Sequence, residues 1–287
     1  MNNQIQPITT TLSPLQGWMT ADSENELYQA PRLISLDRVL HRFTPISLHQ
    51  MTEVALLRRT DTKYVLPETQ LPQLLTALSQ DYYVLQINAL REHRYQTLYF
   101  DTPDFDLYRQ HHNGSGNRFK VRIRTYIDSH ATFLEIKQKT NKGVTVKSRL
   151  QSPTATTDFD APAAVFLYNH CPHQAEELEP KLWNAYSRIT LVSKHTPERL
   201  TLDLGLSFQW DYASVALPGV VIAEVKREGY SLRSDFIAQM RTLGIRPMSF
   251  SKYCIGIASL YDGVKTNAFK PKLRYVNKLM QERTLSC

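Results

Sequence analysis

Cysteine is scarce in this chain. Cys171, Cys254 and Cys287 are its only three, odd in number and without a CxxC spacing, which argues against a disulfide framework and fits a reducing compartment. Long apolar runs are missing as well. None approaches the ~20 residues that a membrane-spanning helix needs, and the N-terminus has no basic stretch followed by an apolar one. The expectation is a soluble, cytoplasmic protein, with docking onto an unidentified membrane partner left open. His170-Cys171-Pro172-His173 lacks the four suitably spaced ligands of a zinc site. No short repeat or low-complexity tract is evident.

What the chain has is aromatic residues and positive charge. Fifteen Tyr and eleven Phe within a 42% apolar composition fit a globular protein rich in strands. A formal net charge of +7 favours anionic partners: nucleotides, polyphosphate, nucleic acid or acidic lipid. The charge is concentrated. Residues 118 to 149 hold nine Lys or Arg against Asp128 and Glu135, an excess of +7 that equals that of the whole chain.

Within that stretch the cations recur at every second position. Arg118, Lys120, Arg122 and Arg124 alternate with Phe119, Val121, Ile123 and Thr125, so a pleated strand carries all four on one face. Glu135, Lys137 and Lys139 oppose Leu134 and Ile136, and Lys147 and Arg149 oppose Val144, Val146 and Ser148. Like charges directly opposite each other destabilise an ordinary sheet, so such a face points to a polyanion.

The remaining punctuation gives an organisation. Residues 1–45 read as a loose leader, 46–263 as one domain, and 264–287 as a basic, exposed C-terminal helix or tail. Arg59 to Leu66 is a strand ended by Pro67, and Leu71, Leu74, Leu75 and Leu78 follow at helical spacing. Tyr83–Asn88 and Glu92–Asp101 suggest a hairpin. Thr102 and Pro103 suggest a helix start, with Gly114 as its stop. Residues 151–183 read as partly helical. Alternation returns at Tyr186, Arg188 and Thr190, at Arg199, Thr201 and Asp203, and at Glu224 and Lys226, before helices near 232–243, 251–262 and 268–283.

At least seven strands thus carry polar side chains on one parity and aliphatic ones on the other. Closure would line a lumen with the charges and leave the aliphatic faces for helices to cover. The predicted class is α+β: a closed antiparallel β-barrel with helices packed outside. A lumen with so many cations calls for a bound polyanion, since an unpaired buried charge costs several kcal/mol, roughly. Glu135, Asp203 and Glu224 on the same parity suggest oxygen ligands for Mg²⁺ or Mn²⁺.

Six motifs in order then carry a resemblance: Arg59-x-Asp-x-Lys-Tyr64, Tyr95-x-Thr-x-Tyr-Phe-Asp-Thr102, Arg118-x-Lys-x-Arg-x-Arg-x-Tyr126, Phe133-Leu-Glu-Ile-Lys137, Lys147-x-Arg149 and Ser251-Lys-Tyr253. Together, over roughly residues 50 to 262, they resemble the VTC domain, the polyphosphate polymerase domain of vacuolar transporter chaperone complexes, within the triphosphate tunnel metalloenzyme superfamily. The resemblance implies a β-tunnel in which the terminal phosphoryl group of ATP passes to a growing polyphosphate chain. Carried over, Lys63, Arg122, Arg124, Lys137, Lys147, Tyr186, Arg188, Arg199, Lys226, Ser251 and Lys252 resemble phosphate ligands. Among these Arg122, Arg124, Lys226 and Lys252 take catalytic roles. Glu224 resembles the metal ligand, with Glu135 and Asp203 as further candidates that also suit orienting neighbouring cations.

One departure stands out. The superfamily's first strand carries Glu-x-Glu-x-Lys, whereas Arg59-x-Asp61-x-Lys63 has a single acid, which speaks against a two-metal triphosphatase. The regulatory domain and transmembrane helices of the eukaryotic complexes are not recognised either, so a standalone version is expected. A triphosphate or polyphosphate hydrolase and a non-catalytic polyphosphate or RNA binder remain the competing readings. A specific nucleic-acid site is disfavoured because the cationic parity carries few rings, mainly Tyr95, Tyr99 and Tyr126, for bases to stack on.

Overall fold

A computed structural model describes residues 36–53, 59–152, 154–228 and 233–284. Most of the predicted leader therefore lies outside the described residues. Its end does not behave as a leader: α1 (Asp37–Leu40) and β1 (Thr44–Ile46) are ordered, and Leu36, Leu40 and Phe43 are buried. A short α2 (Leu48–Glu53) follows.

The predicted alternation becomes one large sheet. Its main path runs β2 (Arg59–Pro67), β11 (Val220–Glu228), β9 (Glu198–Trp210), β8 (Glu179–Ser193), β4 (His93–Asp101), β5 (Arg118–Tyr126), β6 (Ala131–Lys139) and β7 (Thr145–Ser152). Every pairing along it is antiparallel. β10 (Ala213–Ala216) pairs with β9, and β3 (Tyr82–Leu85) joins β8 and, in parallel, β1. The barrel expectation is met as far as a mixed α+β fold with a large antiparallel sheet. No ladder joins the end strands β2 and β7 among the described residues.

Helices cover the aliphatic parity. The leucine stripe of α3 (Leu71–Leu78) is 0–1% exposed and packs on Tyr64, Leu66, Leu200, Leu202 and Val225. Burying four leucines contributes roughly 6–12 kcal/mol before entropy is counted. α6 (Asp235–Thr242) adds Phe236 and Met240 to that core. α5 (Ala161–His170) sets Leu167 against Leu98, Val121, Ile123, Leu134 and Ile136. α7 (Lys252–Leu260) and α8 (Lys270–Thr284) pack on the strands carrying Leu182, Phe208 and Ile222.

Three local expectations are corrected. β3 does not form a hairpin with β4: Asn88 and Ala89 adopt φ of 48° and 64°, turn the chain, and leave β3 to pair with β8. The helix expected at Thr102 starts later, as α4 (Asp106–His112), after a left-handed Phe105. The Asp101 carboxylate accepts from the Leu107 and Tyr108 amides at 2.8 Å each, so the cap lies in the strand before the turn. The C-terminal helix is only half exposed. Leu273, Val276 and Leu279, at i, i+3 and i+6, sink into the core, a stripe hidden by the charges around it.

Candidate anion-binding site

The polar parity of the sheet lines a cavity of about 690 Å³. Every strand of the main path sends at least one cation to it, from Lys63 on β2 round to Lys147 and Arg149 on β7, and α7 adds Lys252. Twelve lysines and arginines line it against Asp128, Asp203 and Glu224. Register explains the grouping: Arg122 faces Glu135, which faces Arg149, and Lys120 faces Lys137, which faces Lys147.

The cations are not left bare. Glu135, 1% exposed, accepts from Arg122 Nε at 2.9 Å and Nη2 at 2.7 Å and pairs with Lys147, with Arg124 at 3.9 Å. Asp203 accepts from Arg188 Nε at 2.5 Å and Nη2 at 2.9 Å and from Lys252. Glu224 pairs with Lys226 and, at 3.6 Å, with Lys63, whose ammonium also donates to the Phe250 carbonyl at 2.9 Å. Burial alone would raise these three carboxyls, yet the surrounding cations hold each well below the usual carboxylate range. All three are anionic at neutral pH.

Rings support the cations from below. Arg122 lies over Tyr99 and Arg124 over Tyr95, while Arg188 lies between Tyr95 and Tyr186 at 5.1 and 5.3 Å. Lys252 sits 4.3 Å from the Tyr186 ring centre, and Arg149 sits 4.9 Å from that of Phe133. An acid at the side and a ring beneath fix the Arg122, Arg124 and Arg188 forks before any ligand arrives. This corrects the expectation that a bound polyanion alone must compensate the lumen.

The predicted residues converge with one difference in depth. Lys63, Arg122, Arg124, Lys137, Lys147, Arg188, Arg199, Lys226, Ser251 and Lys252 all line the cavity. Tyr186 is fully buried beneath it, its hydroxyl without a hydrogen-bond partner among the described residues. Ser251 caps α7 by accepting from the Cys254 amide at 3.2 Å, which also turns the helix N-terminus toward the cavity. Gly256 permits that placement: a Cβ there would lie 2.5 Å from Leu182 Cδ2 and 2.7 Å from Phe208 Cδ1.

Lys120 belongs to this group as well; it stands in the motif from Arg118 to Tyr126 and on the cationic strand parity, but was not carried over as a phosphate ligand. Lys120 and Lys137 make none of the ion pairs found among the described residues. Burial lowers both to about 8, opposed for Lys137 by Glu224 and reinforced for both by neighbouring cations, and burial brings Lys252 to about 8 as well. No group of three or more His, Cys, Asp or Glu side chains forms a metal cage among the described residues. Glu224 is the most accessible of the three inner acids, at 17% against 1% for Glu135 and 4% for Asp203.

Comparison with protein families matches residues 58–261 to the VTC domain. The chain belongs to the VTC domain family. No curated protein matches it. Among solved structures, a candidate adenylate cyclase from Vibrio parahaemolyticus is similar at 13% identity, covering 69% of this chain and 97% of that one, with a TM-score of 0.43. A candidate adenylyl cyclase from Hippeastrum, described as having a dominant triphosphatase activity, is 17% identical over 71% and 97% of the two chains, TM-score 0.44. An RNA triphosphatase from S. pombe is 8% identical over 98% and 96%, TM-score 0.27. Within the VTC match lie all the cavity's strands and the start of α7. Residues 262–284, including α8, fall beyond it.

Proposed function

We propose that this VTC domain protein is a polyphosphate polymerase that binds ATP by its triphosphate and passes the terminal phosphoryl group to a growing inorganic polyphosphate chain. The observation that carries the reading is a cavity of about 690 Å³ lined, among the described residues, by twelve cations from every main strand against three carboxylates, within a chain of this family. Phosphoryl transfer asks a protein mainly to align the groups and to stabilise charge on the transferring oxygens. Forks already oriented by acids and rings meet that demand without reorganisation. In this reading the sheet curls far enough for its polar face to act as a tunnel.

Roles follow from the contacts. Arg122, Arg124 and Arg188 hold the triphosphate, assisted by Lys63, Lys137, Lys147 and Arg199. Lys226 and Lys252, each tied to an acid, stabilise the transferring group. Glu224 fits a divalent ion because its accessible carboxylate faces the cavity, and Mg²⁺ or Mn²⁺ typically uses one or two carboxylates plus substrate phosphates. Such an ion, when bound, would neutralise charge on the phosphate oxygens. Glu135 and Asp203, nearly enclosed and fully engaged, suit orientation of cations better than metal binding.

Incubating the protein with ATP and Mn²⁺ and resolving products by chain length tests the reading. Long chains support synthesis. Free phosphate alone assigns hydrolysis, a reading the roomy cavity favours because water can enter beside a triphosphate. Tight tripolyphosphate binding that is unchanged by Glu224→Gln, with no turnover under any metal, leaves a binding module.

A further inference from the structure

The cavity changes character toward the end where β4 begins. There its wall is formed by Leu48 and Met51 of α2, Leu85 at the end of β3, and Ile87, Asn88 and His93. Backbone pairing puts them together. β1 runs parallel to β3 with Ile46 opposite Leu85, so the helix that follows β1 is delivered to the same rim as the turn that follows β3. Arg91 fixes that turn by donating to the Gln86 side chain at 2.8 Å and to the Leu40 and Phe43 carbonyls at 2.6 and 3.2 Å. His93 is the unusual member. It is 6% exposed, yet neither ring nitrogen has a hydrogen-bond partner among the described residues, the backbone at Leu90 and Arg188 passing close by without completing one. A buried polar atom without a partner destabilises a fold, so this ring is poised for a group that arrives from the cavity. Burial also lowers its pKa, which leaves the imidazole neutral at neutral pH, with one N–H donor and one acceptor nitrogen. A phosphate gains little from aliphatic walls and a neutral imidazole. A flat heteroaromatic ring with donors and acceptors along its edge matches both. Arg188 is the cross-strand neighbour of His93, so a ring held there lies next to a fork that the proposed function gives to the triphosphate.

We propose that this rim is a nucleobase site, in which Leu48, Met51, Leu85 and Ile87 cover the faces of the base of a nucleoside triphosphate and His93 hydrogen-bonds its edge. The inference deepens the proposed function and rests on it: that reading needs only the triphosphate, whereas here the donor is gripped by its base as well. Leu48 and Met51 precede the residues that match the family, so part of the grip lies outside the shared segment. A polyphosphate acceptor, having no base, gains nothing at this rim. Donor and acceptor are thereby told apart by chemistry rather than by charge.

Calorimetric titration with ATP and with methyl triphosphate, which carries the same phosphates and no base, tests the proposal at fixed ionic strength and without metal. The wild-type protein should bind ATP roughly tenfold more tightly, the scale of a partly buried ring and one hydrogen bond. A Leu48→Ser, Met51→Ser double variant, altered on a short helix at the rim, should lose roughly fivefold of ATP affinity and keep methyl triphosphate affinity within about twofold. His93→Phe should lose roughly three- to tenfold for ATP alone. It should also melt no lower than wild type, because the phenyl ring replaces one whose nitrogens have no partner. Equal wild-type affinity for the two ligands, or an unchanged affinity ratio in either variant, overturns the nucleobase site while leaving the triphosphate reading in place. A marked drop in the melting temperature of His93→Phe assigns the ring to the fold and overturns it too. Failure of both ligands to bind would instead overturn the proposed function, and this inference with it.

Discussion

Asp203→Asn removes one charge and almost no volume, so its effect isolates the electrostatic frame of the cavity. Asp203 is 4% exposed and holds Arg188 through the Nε–Nη2 edge of its guanidinium as well as the Lys252 ammonium. Removing one partner of a buried ion pair costs about 3–5 kcal/mol, because the other charge stays behind unmatched. The Tyr186 ring beneath both cations persists, which favours the lower figure. For a chain of this size each kcal/mol moves the melting temperature by about 2–4 °C, giving a fall of about 6–12 °C near pH 7. The sign with pH is fixed: Asp203 titrates lower in the folded state, so its contribution is present above the unfolded carboxylate range and is lost only in strong acid. Wild type and variant should therefore converge as pH falls toward that limit. Lys252, already near 8, loses the charge that holds it up and drops further, so the tripolyphosphate-induced stabilisation at pH 8 should shrink more in the variant than at pH 6.5. Differential scanning fluorimetry with and without tripolyphosphate measures both effects. A variant melting within about 1 °C of wild type at pH 7 would refute the reasoning, since water rather than Asp203 would then be balancing the two cations.

Tripolyphosphate at a hundred times its dissociation constant should stabilise the protein by about 2.7 kcal/mol, read as a rise in melting temperature. That increment should fall as pH passes 8, where Lys120, Lys137 and Lys252 lose their protons, while the same deprotonations make the unliganded protein more stable; parallel slopes would contradict this. Gly256→Ala should cost about 1–3 kcal/mol by overpacking against Leu182 and Phe208, and by displacing α7 it should weaken tripolyphosphate binding as well; a fully stable variant with unchanged binding would show that α7 is not wedged there. Glu224→Gln should retain metal-free tripolyphosphate binding, followed by calorimetry, and lose the gain in affinity that Mn²⁺ provides.

Much of the site was legible because a strand's two-residue period writes its face into the sequence. Arg118 to Arg124 needed only parity to be placed together, and the register then set Arg122 beside Glu135. Which carboxylate serves which cation was not legible, since that depends on strand order, and β2 sits beside β11, and β4 beside β8, through long connections. The use of the rings was not legible for a related reason. Tyr95 and Tyr99, placed by parity on the cationic face, lie under Arg124 and Arg122 in the cavity wall. Lys120 was marked both by the motif from Arg118 to Tyr126 and by simple alternation, and only its role as a cavity-lining cation went unassigned. The start of α4 was misplaced because its cap comes from Asp101, a strand residue brought over the helix by a turn that Thr102 and Pro103 only begin.

The docking of α8 separates two kinds of boundary. The segment inherited with the family ends at residue 261, but Leu273, Val276 and Leu279 share one apolar cluster with Val65, Ile222 and Tyr253. Truncation at the inherited limit would uncover that cluster and leave a sticky flank where a helix had been. A piece that keeps this flank covered therefore extends past the matched segment to take in its own C-terminal clasp.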